Sequence, residues 1–252
     1  MTTVTDQVKE KLRAVLVFDQ NMLILAAILG FFAGFASTFF RWMIEFFESI
    51  FSIKGLSLTG IPPQFYPFLL PLMPMLGGCF IGLICKYFPN AVKENGVHKV
   101  MHAVAMDDGK LRKRTITSCA ITSSITIGSG GSAGREGPTV QIGSAIGSTI
   151  GQILHLTTER IRVLVGCGAA AGIAASFNAP LAGVLFALEI ILGDFTIHTF
   201  SPIIIASVIG TVTGRALEGN EVTFNVPVHE LVHPSEIFFY LALGILCGIV
   251  AR

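Results

Sequence analysis

Residues Gly128–Gly143 read GSGGSAGREGPTVQIG, with five glycines between Gly128 and Gly137 and then Arg135-Glu136-Gly137-Pro138. Proline is favoured at the first position of a helix, where its missing N–H is no loss. Pro138 is therefore expected to start a helix, with the backbone N–H groups of Arg135, Glu136 and Gly137 around its positive end. Such an end attracts anions through backbone donors and the helix dipole. The run that follows, Thr139–Leu156, contains no Asp, Glu, Lys or Arg. An anion site thus opens inside an apolar stretch with one carboxylate, Glu136, on its threshold. The pattern predicts an anion pathway gated by a tethered anion, and a carboxylate in this setting is a functional candidate by default.

The surroundings that must position this stretch are those of a membrane protein. Of 252 residues, 52% are hydrophobic and 13% charged, against about 25% charged in ordinary soluble domains, and the mean hydropathy is +0.72. A net charge of +1 leaves no large basic surface, which argues against nucleic acid as a partner. The cysteines (Cys79, Cys85, Cys119, Cys167, Cys247) are scattered, without metal-ligand spacing, and read as small buried hydrophobes. No metal or cofactor is expected. The N-terminus lacks the pattern of a signal peptide, and the apolar run Phe238–Ala251 is shorter than the roughly 20 residues a spanning helix needs. The chain reads as a fragment that ends partway through a helix.

Residues 1–20 are expected to form a cytoplasmic, amphipathic N-terminus, with Val8, Leu12, Val15 and Leu16 on one side of a surface helix. Residues 21–252 form the membrane domain. Met22–Phe40 is long enough to span and continues through Arg41 and Glu45, neighbours on a helix surface at spacing four. Gly30 and Gly34 are spaced to let another helix approach closely. Phe65–Cys85 is a second span, entered through Pro67, Pro71 and Pro74. Lys86–Arg114 holds seven of the 17 Lys and Arg residues, whereas between Arg215 and Arg252 there are none. The positive-inside rule then places the N-terminus and Lys86–Arg114 in the cytoplasm, in a cell or inner membrane. Gly143, Gly147 and Gly151 form a small-residue face for packing. Val163–Leu188 is uncharged but interrupted by Asn178-Ala179-Pro180, which predicts two shorter helices. Short segments broken by Gly and Pro are what transporter folds place around a binding site.

GREGPTVQIG (Gly134–Gly143) followed by GAAAGIAASFNAPLAGVLFALE (Gly168–Glu189) resembles the CLC family of chloride channels and proton-coupled chloride transporters, with similarity from about Ala26 onward. The resemblance implies an all-α membrane fold of short, broken and re-entrant helices, built as an inverted repeat and assembled as a homodimer with one pore per subunit. This chain looks like the first repeat plus the opening helix of the second. Glu136 matches the family's gating glutamate, and Arg135 and Gly137 match the backbone donors of the outer anion site. Asn95 and Gly96 fall where a pore serine and its neighbour contact the anion. An amide NH2 still donates a hydrogen bond, so Asn95 is compatible with an anion there. Glu94 adds a charge near the inner mouth. The inner proton-relaying glutamate of many antiporters aligns with Ile190, which carries no proton, so the family reading favours a voltage- or pH-gated chloride channel. A proton-coupled chloride antiporter is the alternative, with Glu136 and Glu189 as its candidate proton pathway. Other anion contacts of the family belong to the missing C-terminal half, without which the chain is not expected to transport chloride or another small anion across the bilayer.

Rival readings are weaker. Gly130–Gly134 satisfies G-x-S-x-G, and Asp194 and His198 follow in hydrolase order, but that motif needs a strand-to-helix elbow on a soluble sheet. No enzyme activity is expected. A dinucleotide fingerprint at Gly128–Ala133 lacks its strand–helix alternation and acidic residue. His98 and His102 have helical ligand spacing but no matched partners. His229 and His233 read as solvated loop groups. A non-transporting membrane scaffold fits a fragment, yet has no use for the glycine-rich backbone of Gly128–Gly143.

Overall fold

The structure, a computed structural model, describes residues 4–52, 55, 62–87, 96–219 and 233–251, with backbone alone for 4–19, 63 and 67. Glu94, Asn95 and His229 lie outside the described residues. Every regular element among the described residues is helical, as expected: α1 Val4–Phe51, α2 Tyr66–Leu69, α3 Leu72–Tyr87, α4 Val97–Met106, α5 Arg114–Gly128, α6 Glu136–Ile153, α7 Thr158–Phe177, α8 Pro180–Phe186 continuing as a π turn over Ala187–Leu192, and α9 Ile197–Glu218. A further helix, α10 (Glu236–Val250), belongs to a separate unit, residues 222–252. Three helices among the described residues are long and apolar enough to cross a membrane: Gln20–Phe51 of α1, α7 and α9.

Local chemistry explains most of these boundaries. Asn178 takes the left-handed conformation (φ 54°, ψ 36°) after α7, which asparagine tolerates better than most residues, and Pro180 opens α8. The expected break in Val163–Leu188 therefore falls at Asn178-Ala179-Pro180. The expected second span, Phe65–Cys85, is instead split into α2 and α3 around Pro71, and the 16 residues of α3 fall short of a full crossing. At the N-terminus the backbone is helical without a break through residue 20. The helix after the glycine-rich stretch begins at Glu136, with Arg135 as its cap, so Pro138 is not its first residue. It sits third, still inside the first turn, where the absent N–H costs no helical bond.

Close packing is set by small residues, as suits helices that share an apolar solvent with their surroundings. α7 is the centre, buried from Leu164 to Ser176. α6 runs antiparallel along it, with Thr139 against Gly172, Gly143 against Gly168, Gly147 against Leu164 and Gly151 against Ile161. α9 lies parallel on another side of α7, through Gly210 on Ala171 and Gly214 on Ala175. α1 runs parallel to α9, with Gly30 against Ala206 and Gly34 against Gly210. Hydroxyls fasten these contacts: Ser37 Oγ donates to the Gly172 carbonyl at 3.1 Å, Ser144 Oγ to Val165 at 3.2 Å and Ser207 Oγ to Pro180 at 2.7 Å. These directions bring the start of α6, the ends of α7 and α9, and the Arg41 region of α1 to one end of the layer.

Candidate functional site

The glycine-rich stretch turns the chain from α5 into α6. Gly128 lies under α1, where an added Cβ would stand 2.9 Å from the Glu48 nitrogen and the Ile44 carbonyl oxygen. Gly130 has φ +90°, a conformation that side chains disfavour. The Ser129 N–H closes the turn on the Ile125 carbonyl at 2.9 Å, and the Gly131 N–H on that of Thr126 at 2.9 Å. α6 then opens with Arg135 at the cap, and no side chain caps it. The first helical residues, Glu136 and Gly137, are thus donors at an end that an outside anion can satisfy.

The Glu136 side chain is exposed and its carboxylate folds back over the Cα of Gly134, where an added Cβ would stand 2.9 Å from Cδ. A carboxylate so placed lies at the positive end of α6, stabilised by the dipole that would also hold a free anion. The Arg135 guanidinium points elsewhere, 4.8 Å from the centre of the Phe177 ring. Among the described residues no ion pair includes Glu136.

Gly96, the described member of the Asn95–Gly96 pair, is tied to the same helix. Its N–H donates to Gln141 Oε1 at 2.8 Å, so this amide is already occupied. The thiol of Cys119 on α5 donates to the same oxygen at 3.3 Å. Gln141 is fully buried and joins three elements, α4, α5 and α6. Its signal in the sequence was an amide in an uncharged run, five residues after Glu136. Gly96 caps α4 with φ 124°, which presents a second helix start beside α6.

Glu189 lies at the opposite end. It sits in the π turn and lines a cavity of about 1250 Å³ with Met22, Arg162, Ile190, Asp194 and His198. Met22, Arg162 and His198 mark the early parts of the α1 span, α7 and α9, the ends remote from Glu136. The two carboxylates therefore lie at opposite ends of the helix layer and do not meet. Of the two histidines at metal-ligand spacing, His102 contacts Asp107 through Nδ1 at 3.2 Å, and no group of three metal-ligating side chains occurs among the described residues.

The sequence profile of the voltage gated chloride channel family, Voltage_CLC, matches residues 77–252. A ClcB-like chloride channel protein of Ralstonia nicotianae is 35% identical over 181 residues, 70% of this chain and 42% of that protein. The H(+)/Cl(-) exchange transporter ClcA of Vibrio parahaemolyticus is 30% identical over 236 residues, 91% of this chain and 50% of that protein. Among solved structures, a CLC-type fluoride/proton antiporter superposes with TM-score 0.71 at 25% identity, over 99% of this chain and 57% of that one. A slow cyanobacterial Cl-/H+ antiporter gives TM-score 0.74 at 26% identity, over 91% of this chain and 54% of that one. The chain spans about half the length of the curated relatives it matches, and its fold is the first half of theirs.

Proposed function

The chain belongs to the voltage gated chloride channel family, the CLC proteins, and on that premise we propose that it forms the gate-bearing half of a proton-coupled chloride antiporter. The observation that carries this reading is Glu136. It stands at the first position of an α6 start that no side chain caps, with its carboxylate unpaired among the described residues. Deprotonated, it competes with chloride for the same backbone donors. Protonated, it loses the attraction of the dipole and leaves the place to the anion. Arg135 and Gly137 contribute main-chain donors, and Asn95 and Gly96 are assigned to the anion route by their match to the family's pore residues alone.

Exchange replaces the channel reading that Ile190 favoured. The relatives and structures that cover this chain furthest carry exchanger and antiporter names. Ile190 shares its cavity with Glu189, so a carboxylate is available at the inner mouth one residue away. Protons enter there and reach Glu136 from the inside. The chain works in an integral membrane protein with its N-terminus in the cytoplasm, together with a second half of the membrane domain and in a dimer.

The test reconstitutes a membrane protein carrying this chain and a second CLC half into chloride-loaded vesicles. A chloride gradient is expected to drive protons uphill, and Glu136→Gln to give chloride flux that neither moves protons nor responds to pH. Chloride flux without uphill proton movement in the unsubstituted protein would return the channel reading. Unchanged pH dependence in Glu136→Gln would remove the gate assignment.

A further inference from the structure

The end of the layer remote from Glu136 carries the turn that leads from α4 into α5. Lys110, Arg112, Lys113 and Arg114 place four cations within five residues there, all with exposed side chains. Two carboxylates share the turn. Asp107 meets His102 Nδ1 at 3.2 Å, and Asp108 Oδ2 lies 3.8 Å from Lys110 Nζ. Residues 107–114 therefore keep an excess of positive charge. Lys113 and Arg114 also stand at the cap and the first position of α5, whose first turn holds no acidic residue, so their charges oppose the helix dipole uncompensated.

These cations are presented on a fixed backbone. The buried Leu111 donates its N–H to Ser148 Oγ at 2.8 Å and accepts from Gln152 Nε2 at 3.0 Å through its carbonyl. Ser148 Oγ donates in turn to the Gly109 carbonyl at 2.6 Å. The turn is thus stitched to two successive turns of α6, and little ordering remains to be done on binding. On its other side Gly109 packs on α7, where an added Cβ would stand 3.3 Å from Arg162 Cγ. Arg162 Nε is buried without a hydrogen-bond partner among the described residues, so a further cation beside the turn has an unused donor.

The rim of this basic turn is apolar and uncovered. Met106, which leads into it, is 74% exposed, and Ile153 and Leu154, directly after Gln152, are 58% and 48% exposed. Cations clustered beside exposed apolar side chains at one end of a membrane-spanning helix layer match the headgroup boundary of a bilayer.

We propose that the α4–α5 turn binds the headgroup of an anionic phospholipid from the leaflet at this end, with Lys110, Lys113 and Arg114 on the phosphate and Met106, Ile153 and Leu154 against the acyl chains. The positive excess selects the sign of the headgroup, and the apolar rim selects a lipid over a soluble phosphate. The site is separate from Glu136 and does not require Glu136 to be the gate.

The experiment follows thermal unfolding of the detergent-solubilised two-half protein while phosphatidylglycerol is titrated in. A ligand of the folded state raises the Tm, and phosphatidylglycerol is expected to do so where phosphatidylcholine and glycerol phosphate do not. Each cation near an anionic headgroup contributes about a fivefold gain in affinity. A double variant, Lys113→Gln with Arg114→Gln, is therefore expected to need about 25-fold more phosphatidylglycerol for the same rise. If the double variant does not fold, Lys113→Gln alone carries the test with an expected shift of about fivefold. Lys86→Gln, at an exposed cation near the end of α3, is expected to leave the titration unchanged. An equal rise with phosphatidylcholine would overturn the proposal, and so would an undiminished response in the variant. A loss in Lys86→Gln as large as in Lys113→Gln would overturn it too, because any surface cation would then serve. A rise with glycerol phosphate that matches phosphatidylglycerol would overturn the lipid as occupant.

Discussion

Replacing Gly134 with alanine tests where the Glu136 carboxylate, the proposed gate, rests. An ideal Cβ on Gly134 overlaps Glu136 Oε2 and stands 2.9 Å from Cδ and 3.3 Å from Oε1. Gly134 is not among the glycines with positive φ, so the main chain accepts alanine. The atoms in the way are the far end of a flexible side chain, and the carboxylate rather than the backbone must yield. Adding a methyl group to an occupied place costs about 1–3 kcal/mol, and only the seated, anionic form bears it. A factor of ten corresponds to about 1.4 kcal/mol, so the seated form loses about 5- to 150-fold against the released one. In the proposed gate, the seated form is deprotonated and excludes chloride. Weakening it therefore moves half-maximal flux to higher pH, by about 0.7–2 units at 1.36 kcal/mol per unit. The chloride concentration for half-occupancy falls by the same factor. Efflux from vesicles over a pH series, with calorimetric chloride titration of the detergent-solubilised protein, reads both quantities. A folded Gly134→Ala protein with unchanged pH response and chloride affinity would refute the seat over Gly134.

Packing and the Gln141 anchor give further expectations. Gly143→Ala sets a methyl group against the Gly168 backbone, 2.8 Å from its carbonyl carbon, and is expected to destabilise the protein by about 1–3 kcal/mol in thermal or denaturant unfolding. Gly82→Ala on α3, with nothing among the described residues within 4 Å of the added carbon, is the control expected to show no loss. Gln141→Leu leaves the Gly96 N–H and the Cys119 thiol without their shared acceptor. It is expected to cost about 1–3 kcal/mol and to weaken chloride binding in the same titration, because the start of α4 is released from α6.

What the sequence made legible was local. The break at Asn178-Ala179-Pro180 follows from a left-handed asparagine and a proline, and the packing roles of Gly30, Gly34, Gly143, Gly147 and Gly151 follow from side-chain size at spacing four. The start of α6 was missed by two residues because proline is tolerated throughout a first turn, not only at its first position. The Arg41–Glu218 bond joins residues 177 apart, and the Gly96–Gln141 bond joins residues 45 apart. Neither is visible until the register between helices is known. Ile190 favoured the channel reading, whereas relatives covering most of the chain carry exchanger and antiporter names, and Glu189 lines the same cavity as Ile190. Yet part of the long-range geometry was implicit in the glycines. Gly143 meets Gly168 and Gly147 meets Leu164, so each step of four along α6 is matched by a step of four back along α7. Carried two steps beyond Gly143 toward the start of α6, that rule puts Arg135 opposite Ser176 and Phe177, where its guanidinium is found. The small residues thus do more than permit close approach. Once paired, they fix which aromatic ring the Arg135 guanidinium can reach.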